Sequence, residues 1–241
     1  MDIAHINRND IEFKVSHASK QGLSWWKYNY NNWEPHTFKV FDKLLKKDMV
    51  YLDIGTYTGH TLLYVAQKVK TVCGIELDPE AFKACEKNIE TNNYSNVKLV
   101  HAAISNEDGE VGIEEGRIGS SGCYMTDSSS DTKVKSMTIE SFMKKCEIKT
   151  CDFIKMDIEG GEEICLPAMQ NFFKTYKPIL YISLHKHLGA TSHTLVESTR
   201  YFNYVYDKNF NNIKDSLGEI IDDNNSQHGE QDYLFTFTEI K

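Results

Sequence analysis

Proline is scarce in this sequence, with 4 residues in 241, and glycine is unremarkable in number at 14. A supply that small excludes a collagen-like or low-complexity disordered chain. No apolar run approaches the roughly 20 residues that a membrane-spanning helix needs, and the opening MDIAHINRND lacks the basic-then-apolar order of a secretory leader. The expectation is a cytoplasmic protein without membrane insertion. Basic clusters are missing as well. The formal net charge is −8, and the densest basic stretch, FKVFDKLLKKD, is interrupted by acids. Binding to nucleic acid rests on neutralising phosphates, so no nucleic-acid partner is expected. Among the six cysteines there is no C-x-x-C pair. Reduced thiols inside apolar runs are expected, with neither a disulfide framework nor a zinc site.

What is present reads as one domain over 1–241, an aromatic and helical cap segment at 1–47 followed by an α/β core at 48–241. From Pro35, apolar residues at Phe38, Val40, Phe41, Leu44 and Leu45 predict a helix running to Lys46. Strand patterns recur from 49, 71, 97, 152, 179, 201 and 232, with helical patterns between most of them. Asp78 as N-cap and Pro79 at the first helical position open the clearest helix. Such alternation predicts a parallel sheet. The last two strands, joined by the polar DSLGEIIDDNNSQHGEQ without a helical pattern, predict an antiparallel pair at one edge. The stretch GSSGCYMTDSSSD, 119 to 131, is expected to be a mobile loop.

The stretch YLDIGTYTGHTLLY carries the first functional signal. A strand feeding a glycine turn and a helix start is how open α/β sheets hold nucleotide-like ligands. A dinucleotide fingerprint wants a middle glycine for the pyrophosphate, and Tyr57 stands there, between Gly55 and Gly59. A nicotinamide-dependent oxidoreductase is therefore the weaker reading. Asp53 before the turn would repel a diphosphate but suits a ligand carrying an ammonium and a sulfonium. Glu76 ends the next strand, where a carboxylate accepts ribose hydroxyls. Together they point to S-adenosyl-L-methionine. Small Ala102 and Ala103 could admit a flat adenine.

Asp53-Ile-Gly55 with Gly59, Glu76-Leu-Asp-Pro79, AAIS and above all IKMDIEGGE at 154–162 resemble the FkbM family of class I S-adenosylmethionine-dependent methyltransferases. NWEPHTFKVFDKLL resembles the segment preceding that family's first strand. The resemblance implies a Rossmann-like, seven-stranded, mostly parallel sheet with an antiparallel last strand and helices on both faces. It also implies O-methyl transfer to a hydroxyl of a sugar or a polyketide. The expected cofactor contacts are Asp53, Gly55, Tyr57, Gly59, Glu76, Leu77, Ala102 and Ala103. The expected acceptor is a small molecule or glycan, with the sugar of a glycan or glycolipid favoured.

Ligands sit beyond the carboxyl ends of parallel strands. There, alternation sets Lys155, Asp157 and Glu159 on one side, which is costly in a buried strand unless the groups are paired or functional. Asp157 is expected between cofactor and acceptor, with Lys155 setting its orientation. His185 is the expected base and His187 a substrate contact. Ser183 stands where the family resemblance suggests a glutamate. Asp157, Glu159 and His185 could together gather a divalent cation, but no spacing requires it and no metal is expected. Trp25, Trp26, Tyr28, Tyr30 and Trp33 could stack on sugar rings or form a plain hydrophobic lid. Trp33 and Glu34 are the substrate contacts expected from this segment. A non-catalytic binding domain on the same fold is the remaining alternative.

Overall fold

The computed structural model describes residues 2–126, 130–222 and 230–240. Its first element is a hairpin of β1 (Ile3–Arg8) and β2 (Ile11–Ser16). Ala4, Ile6 and Arg8 are buried on one strand and Phe13 and Val15 on the other. Asn9 and Asp10 turn between them at φ 49° and 64°, as a two-residue primed turn demands. The segment expected to be aromatic and helical over 1–47 thus begins as a hairpin. Helix α1 (Lys20–Tyr28) follows, with the Ser19 side chain accepting from Gly22 N. Helix α2 (Pro35–Leu44) starts on its proline and ends two residues short of the expected Lys46.

The core then alternates: β3 (Val50–Ile54), α3 (Leu62–Val65), β4 (Thr71–Glu76), α4 (Pro79–Thr91) and β5 (Val97–His101). A side excursion holds β6 (Ala103–Ile104), β7 (Gly109–Ile113), β8 (Met125–Thr126) and β9 (Lys133–Met137). The chain returns through α5 (Ile139–Lys145), β10 (Phe153–Met156), α6 (Glu162–Ala168), α7 (Gln170–Tyr176) and β11 (Ile179–His185). It finishes with α8 (Ser192–Thr199), β12 (Tyr204–Tyr206), α9 (Leu217–Asp222) and β13 (Glu230–Thr236).

The principal sheet has the order β12-β13-β11-β10-β3-β4-β5. From β11 to β5 the neighbours are parallel, and β13 runs antiparallel to both β11 and β12. This is the Rossmann-like, mostly parallel sheet of seven strands that the sequence led us to expect. Because strand side chains alternate, Tyr51, Phe153 and Tyr181 pack on one face with α1 to α4. Leu52, Ile154 and Ile182 pack on the other with α5 to α9. The hairpin shares the first cluster through Ala4, Ile6, Phe13 and Val15.

Three local readings differ from the structure. The run from Val97 to Ile104 breaks after His101, and β6 leaves to pair in a second sheet of order β6-β9-β7-β8. Within the stretch expected to be a loop, Met125–Thr126 pairs with β7, while residues 127–129 lie outside the described residues. The polar link before β13 contains α9, whose Leu217 and Ile221 enter the core, and residues 223–229 lie outside the described residues. Both residues sit one helical turn apart, a signal too short to stand out among acids and asparagines. Among the described residues, no helix is long and apolar enough to cross a membrane.

Candidate active site

The ends of β3, β4, β10 and β11 open into a cavity of about 360 Å³, within the size range of small-ligand sites. Gly55, Tyr57, Glu76, Leu77, Ala102 and Ala103 line one part of it. Glu76 is 7% exposed. Its Oε2 accepts from Tyr57 N at 2.7 Å and its Oε1 from Asp78 N at 2.9 Å. Burial pushes its pKa up to about 7, against those hydrogen bonds. Each oxygen keeps a lone pair for a ligand hydroxyl.

Gly55 is at φ +86°, and a Cβ there would stand 1.9 Å from the Asp157 carbonyl oxygen. Its role is therefore to let the loops after β3 and β10 close on each other, with Asp157 N donating to Ile54 O at 3.0 Å. Asp53 and Gly59 do not line the cavity. Asp53 is fully buried beneath the turn, where Oδ2 accepts from Thr61 Oγ1 at 2.9 Å and Oδ1 has no partner. Burial raises its pKa to about 6, although Lys155, its cross-strand neighbour, acts to lower it.

Charged groups converge on the other part of the cavity. Lys155 Nζ donates to Asp157 Oδ2 at 2.8 Å from a side chain only 3% exposed. Burial alone would lower the lysine pKa, but Asp157, Asp53 and Glu34 raise it. Burial likewise acts to raise Asp157, and the Lys155 ammonium with His185 outweighs it, holding the carboxyl below the ordinary range. His185 is ringed by acids: Nδ1 lies 3.1 Å from Glu162 Oε1, while Nε2 lies 3.4 Å from Asp157 Oδ1 and 3.7 Å from Glu159 Oε2. Burial disfavours its charged form, but these carboxylates push its pKa up to about 9. Lys155, Asp157, Glu159 and His185 thus meet as expected, though β10 ends at Met156 and Glu159 is reached through a turn rather than by strand alternation. His187 is exposed on the short 3₁₀ turn after β11 and does not line the cavity.

Trp33 and Glu34 line the cavity as expected. Glu34 is held at φ 42° before Pro35, with Oε2 accepting from Thr37 Oγ1 at 2.9 Å. Burial raises its pKa to about 7. Glu34, Tyr57 and Glu159 are three cavity residues other than glycine at positive φ, between 42° and 51°, the kind of backbone cost that concentrates at functional sites.

The structure also adds residues that sequence reasoning missed. Asp232 of β13 stands opposite Ser183 of β11. It accepts from Ser183 Oγ at 2.7 Å and pairs with His36 Nε2, whose pKa rises through that hydrogen bond. The strand pair thus sets a carboxylate beside Ser183 on the cavity wall. No local pattern could reveal it, since the register joins positions far apart in sequence. His60 forms the cavity edge, stacked on Trp25 at 4.7 Å, and burial drives its pKa down to about 3. Its place directly after Gly59 was the available signal. Of the five aromatics before the core, Trp33 lines the cavity, and Trp26 and Tyr30 are buried.

A family model for the methyltransferase FkbM domain matches residues 53–212, most of the chain. The chain belongs to the FkbM methyltransferase family. A solved FkbM methyltransferase from Methylobacillus flagellatus is 15% identical with a TM-score of 0.53, covering 90% of this chain and 55% of that one. At that identity the likeness speaks for the fold. Among curated proteins, an uncharacterized protein of Methanocaldococcus jannaschii is 31% identical over 66 residues, and the ribosomal protein L11 methyltransferase of Clostridium perfringens is 37% identical over 68. Each alignment takes in 27% of this chain and about a quarter of the relative, 26% and 21% respectively.

FkbM membership sets aside the nicotinamide reading and makes S-adenosyl-L-methionine the cofactor. The cavity fits it. Glu76 presents two carboxylate oxygens that would accept ribose hydroxyls, and Leu77, Ala102, Ala103 and Ile104 form a small apolar wall that would take adenine. The carboxylates suit a cationic sulfonium. When bound, the cofactor supplies an electrophilic methyl group.

Proposed function

We propose that this FkbM methyltransferase methylates a hydroxyl oxygen, on a sugar of a glycan or glycolipid. The observation that supports the acceptor class is the cavity wall formed by Trp33, Glu34, His36, Ser183 and Asp232. An indole bordered by two carboxylates, an imidazole and a hydroxyl matches a ring carrying several hydroxyls. It matches an apolar polyketide surface less well. The net charge of −8 supports an acceptor other than nucleic acid. Six buried free cysteines suit a reducing cytoplasm.

In this reading Asp157 orients the acceptor hydroxyl, and Lys155 keeps Asp157 ionised and in place through their 2.8 Å contact. Proton uptake falls to Glu34 in preference to His185. A base must be unprotonated at working pH. His185 among its carboxylates holds its proton up to about pH 9, whereas Glu34 has a pKa of about 7.

The test is transfer of labelled methyl from S-adenosyl-L-methionine to a panel of sugars, sugar nucleotides, glycolipid headgroups and hydroxylated polyketides, with products located by NMR. A sugar methyl ether is expected, and transfer confined to nitrogen or to polyketides would refute the sugar reading. Glu34→Gln should lower turnover by about 10²–10⁴-fold and remove the rising limb near pH 7 from kcat/KM. Retention of that limb at saturating S-adenosyl-L-methionine would refute Glu34 as the base.

A further inference from the structure

The groups around His185 are spaced for something larger than a proton. Its Nε2 is 3.4 Å from Asp157 Oδ1 and 3.7 Å from Glu159 Oε2, and the three ligand atoms lie within 4.8 Å of one another. Those separations are long for hydrogen bonds. They stand at or a few tenths of an ångström beyond the edges of a coordination shell: donors bonded at about 2.1 Å to one ion lie roughly 3.0 Å apart in an octahedron and roughly 3.4 Å apart in a tetrahedron.

The far side of the imidazole is already committed. His185 is 2% exposed, and its Nδ1 meets Glu162 Oε1 at 3.1 Å. Glu162 has no exposed surface, and the same oxygen accepts from Ile158 N at 3.1 Å. A buried carboxylate on one ring nitrogen fixes the ring and directs the other nitrogen inward, as the outer partners of metal-binding histidines do. Asp157 divides its oxygens the same way, Oδ2 to Lys155 and Oδ1 toward His185. One oxygen thus stays available beside a lysine that would otherwise compete.

We propose that Asp157, Glu159 and His185 bind one divalent metal ion in the cavity wall, the ion taking the place of the proton on His185 Nε2 while Glu162 holds the ring in register. Two carboxylates and one imidazole suit an ion such as Mn²⁺, which accepts mixed oxygen and nitrogen donors and leaves positions for water. That an acceptor hydroxyl takes one of those positions rests on the methyltransferase reading; the ion site itself does not. Coordination there would polarise the hydroxyl and favour acceptors with two adjacent oxygens.

The experiment is a titration of the chelator-stripped full-length protein with Mn²⁺, followed by electron paramagnetic resonance, with S-adenosylhomocysteine calorimetry on the same samples. One Mn²⁺ per chain is expected, with affinity reduced at least tenfold in Glu159→Gln and Asp157→Asn. Glu159 is the decisive position, because its side chain is 18% exposed and its replacement need not unfold the site. His185→Ala is a second variant, read only where a thermal melt shows it folded. Absence of stoichiometric Mn²⁺, or binding unchanged in Glu159→Gln, would overturn the site. Failure to bind S-adenosylhomocysteine while Mn²⁺ binds would instead count against the cofactor reading, so the two failures are distinguishable.

Discussion

Replacing Glu76 by glutamine changes one oxygen to an NH₂ group in a position where both oxygens already accept backbone N–H groups, from Tyr57 at 2.7 Å and Asp78 at 2.9 Å. One of those N–H groups must then face a donor, and one ribose hydroxyl loses a charged acceptor. A hydrogen bond to a charged group contributes about 1.5–3 kcal/mol. The expected loss of affinity for S-adenosylhomocysteine is therefore roughly 10- to 150-fold. The pH dependence gives a second signature. With the free carboxyl near pKa 7, a ligand that selects the ionised form should bind more weakly as pH falls below 7, approaching tenfold per unit. Glu76→Gln should lose that slope. Calorimetric titrations at pH 6, 7 and 8 measure both effects. Affinity within threefold of the parent protein, or an identical slope in the variant, would refute the ribose assignment.

Gly55→Ala should destabilise the protein by at least about 2 kcal/mol, roughly 4–8 °C in Tm, because it combines φ +86° with a Cβ 1.9 Å from the Asp157 carbonyl; an unchanged melt would mean that the two loops are not closed on each other. Lys155→Met should cost about 3 kcal/mol in urea unfolding by leaving Asp157 and Asp53 without their cation. That cost should be larger at pH 8 than at pH 5, since only ionised carboxylates miss the lysine, and a reversed trend would refute the pairing. The ligand-free protein should be more stable at pH 5 than at pH 8 by about 2 kcal/mol or more. Glu34 and Glu76, raised to about 7, and Asp53, raised to about 6, favour folding while protonated and lose that contribution as pH rises through these values. His185, raised to about 9, acts in the same direction, and His60, lowered to about 3, offsets part of the loss between pH 5 and its unfolded value. Thermal melts across this range check it, and a midpoint that climbs toward pH 8 would refute it.

The cavity lining proposed for the cofactor was legible in part, because Gly55, Tyr57 and Glu76 are local in sequence, although Asp53 and Gly59 fall outside it. Gly55 and Tyr57 sit on the turn directly after β3, and Asp78 caps α4 by accepting from Glu80 N at 2.8 Å, as the Asp-Pro pair announces. Lys155 and Asp157 stood out through the cost of charge in an apolar run. The hairpin was missed although its alternation and Asn9-Asp10 turn are written in the sequence; the aromatic cluster after it drew the reading toward helix. Asp232 was invisible for a different reason. Its partners Ser183 and His36 are fixed by strand register and by packing between elements far apart in sequence, which periodicity does not encode.

The contact between His36 and Asp232 spans 196 positions. During synthesis the turn, Glu76 and the wall proposed for adenine are all translated by Ile104, whereas the wall proposed for the acceptor waits for β13. Completion of that wall therefore waits for the last strand of the sheet and is a late folding event. In the proposed reading, the same division would let mutations in the acceptor wall change what is methylated while the turn and Glu76 stay intact.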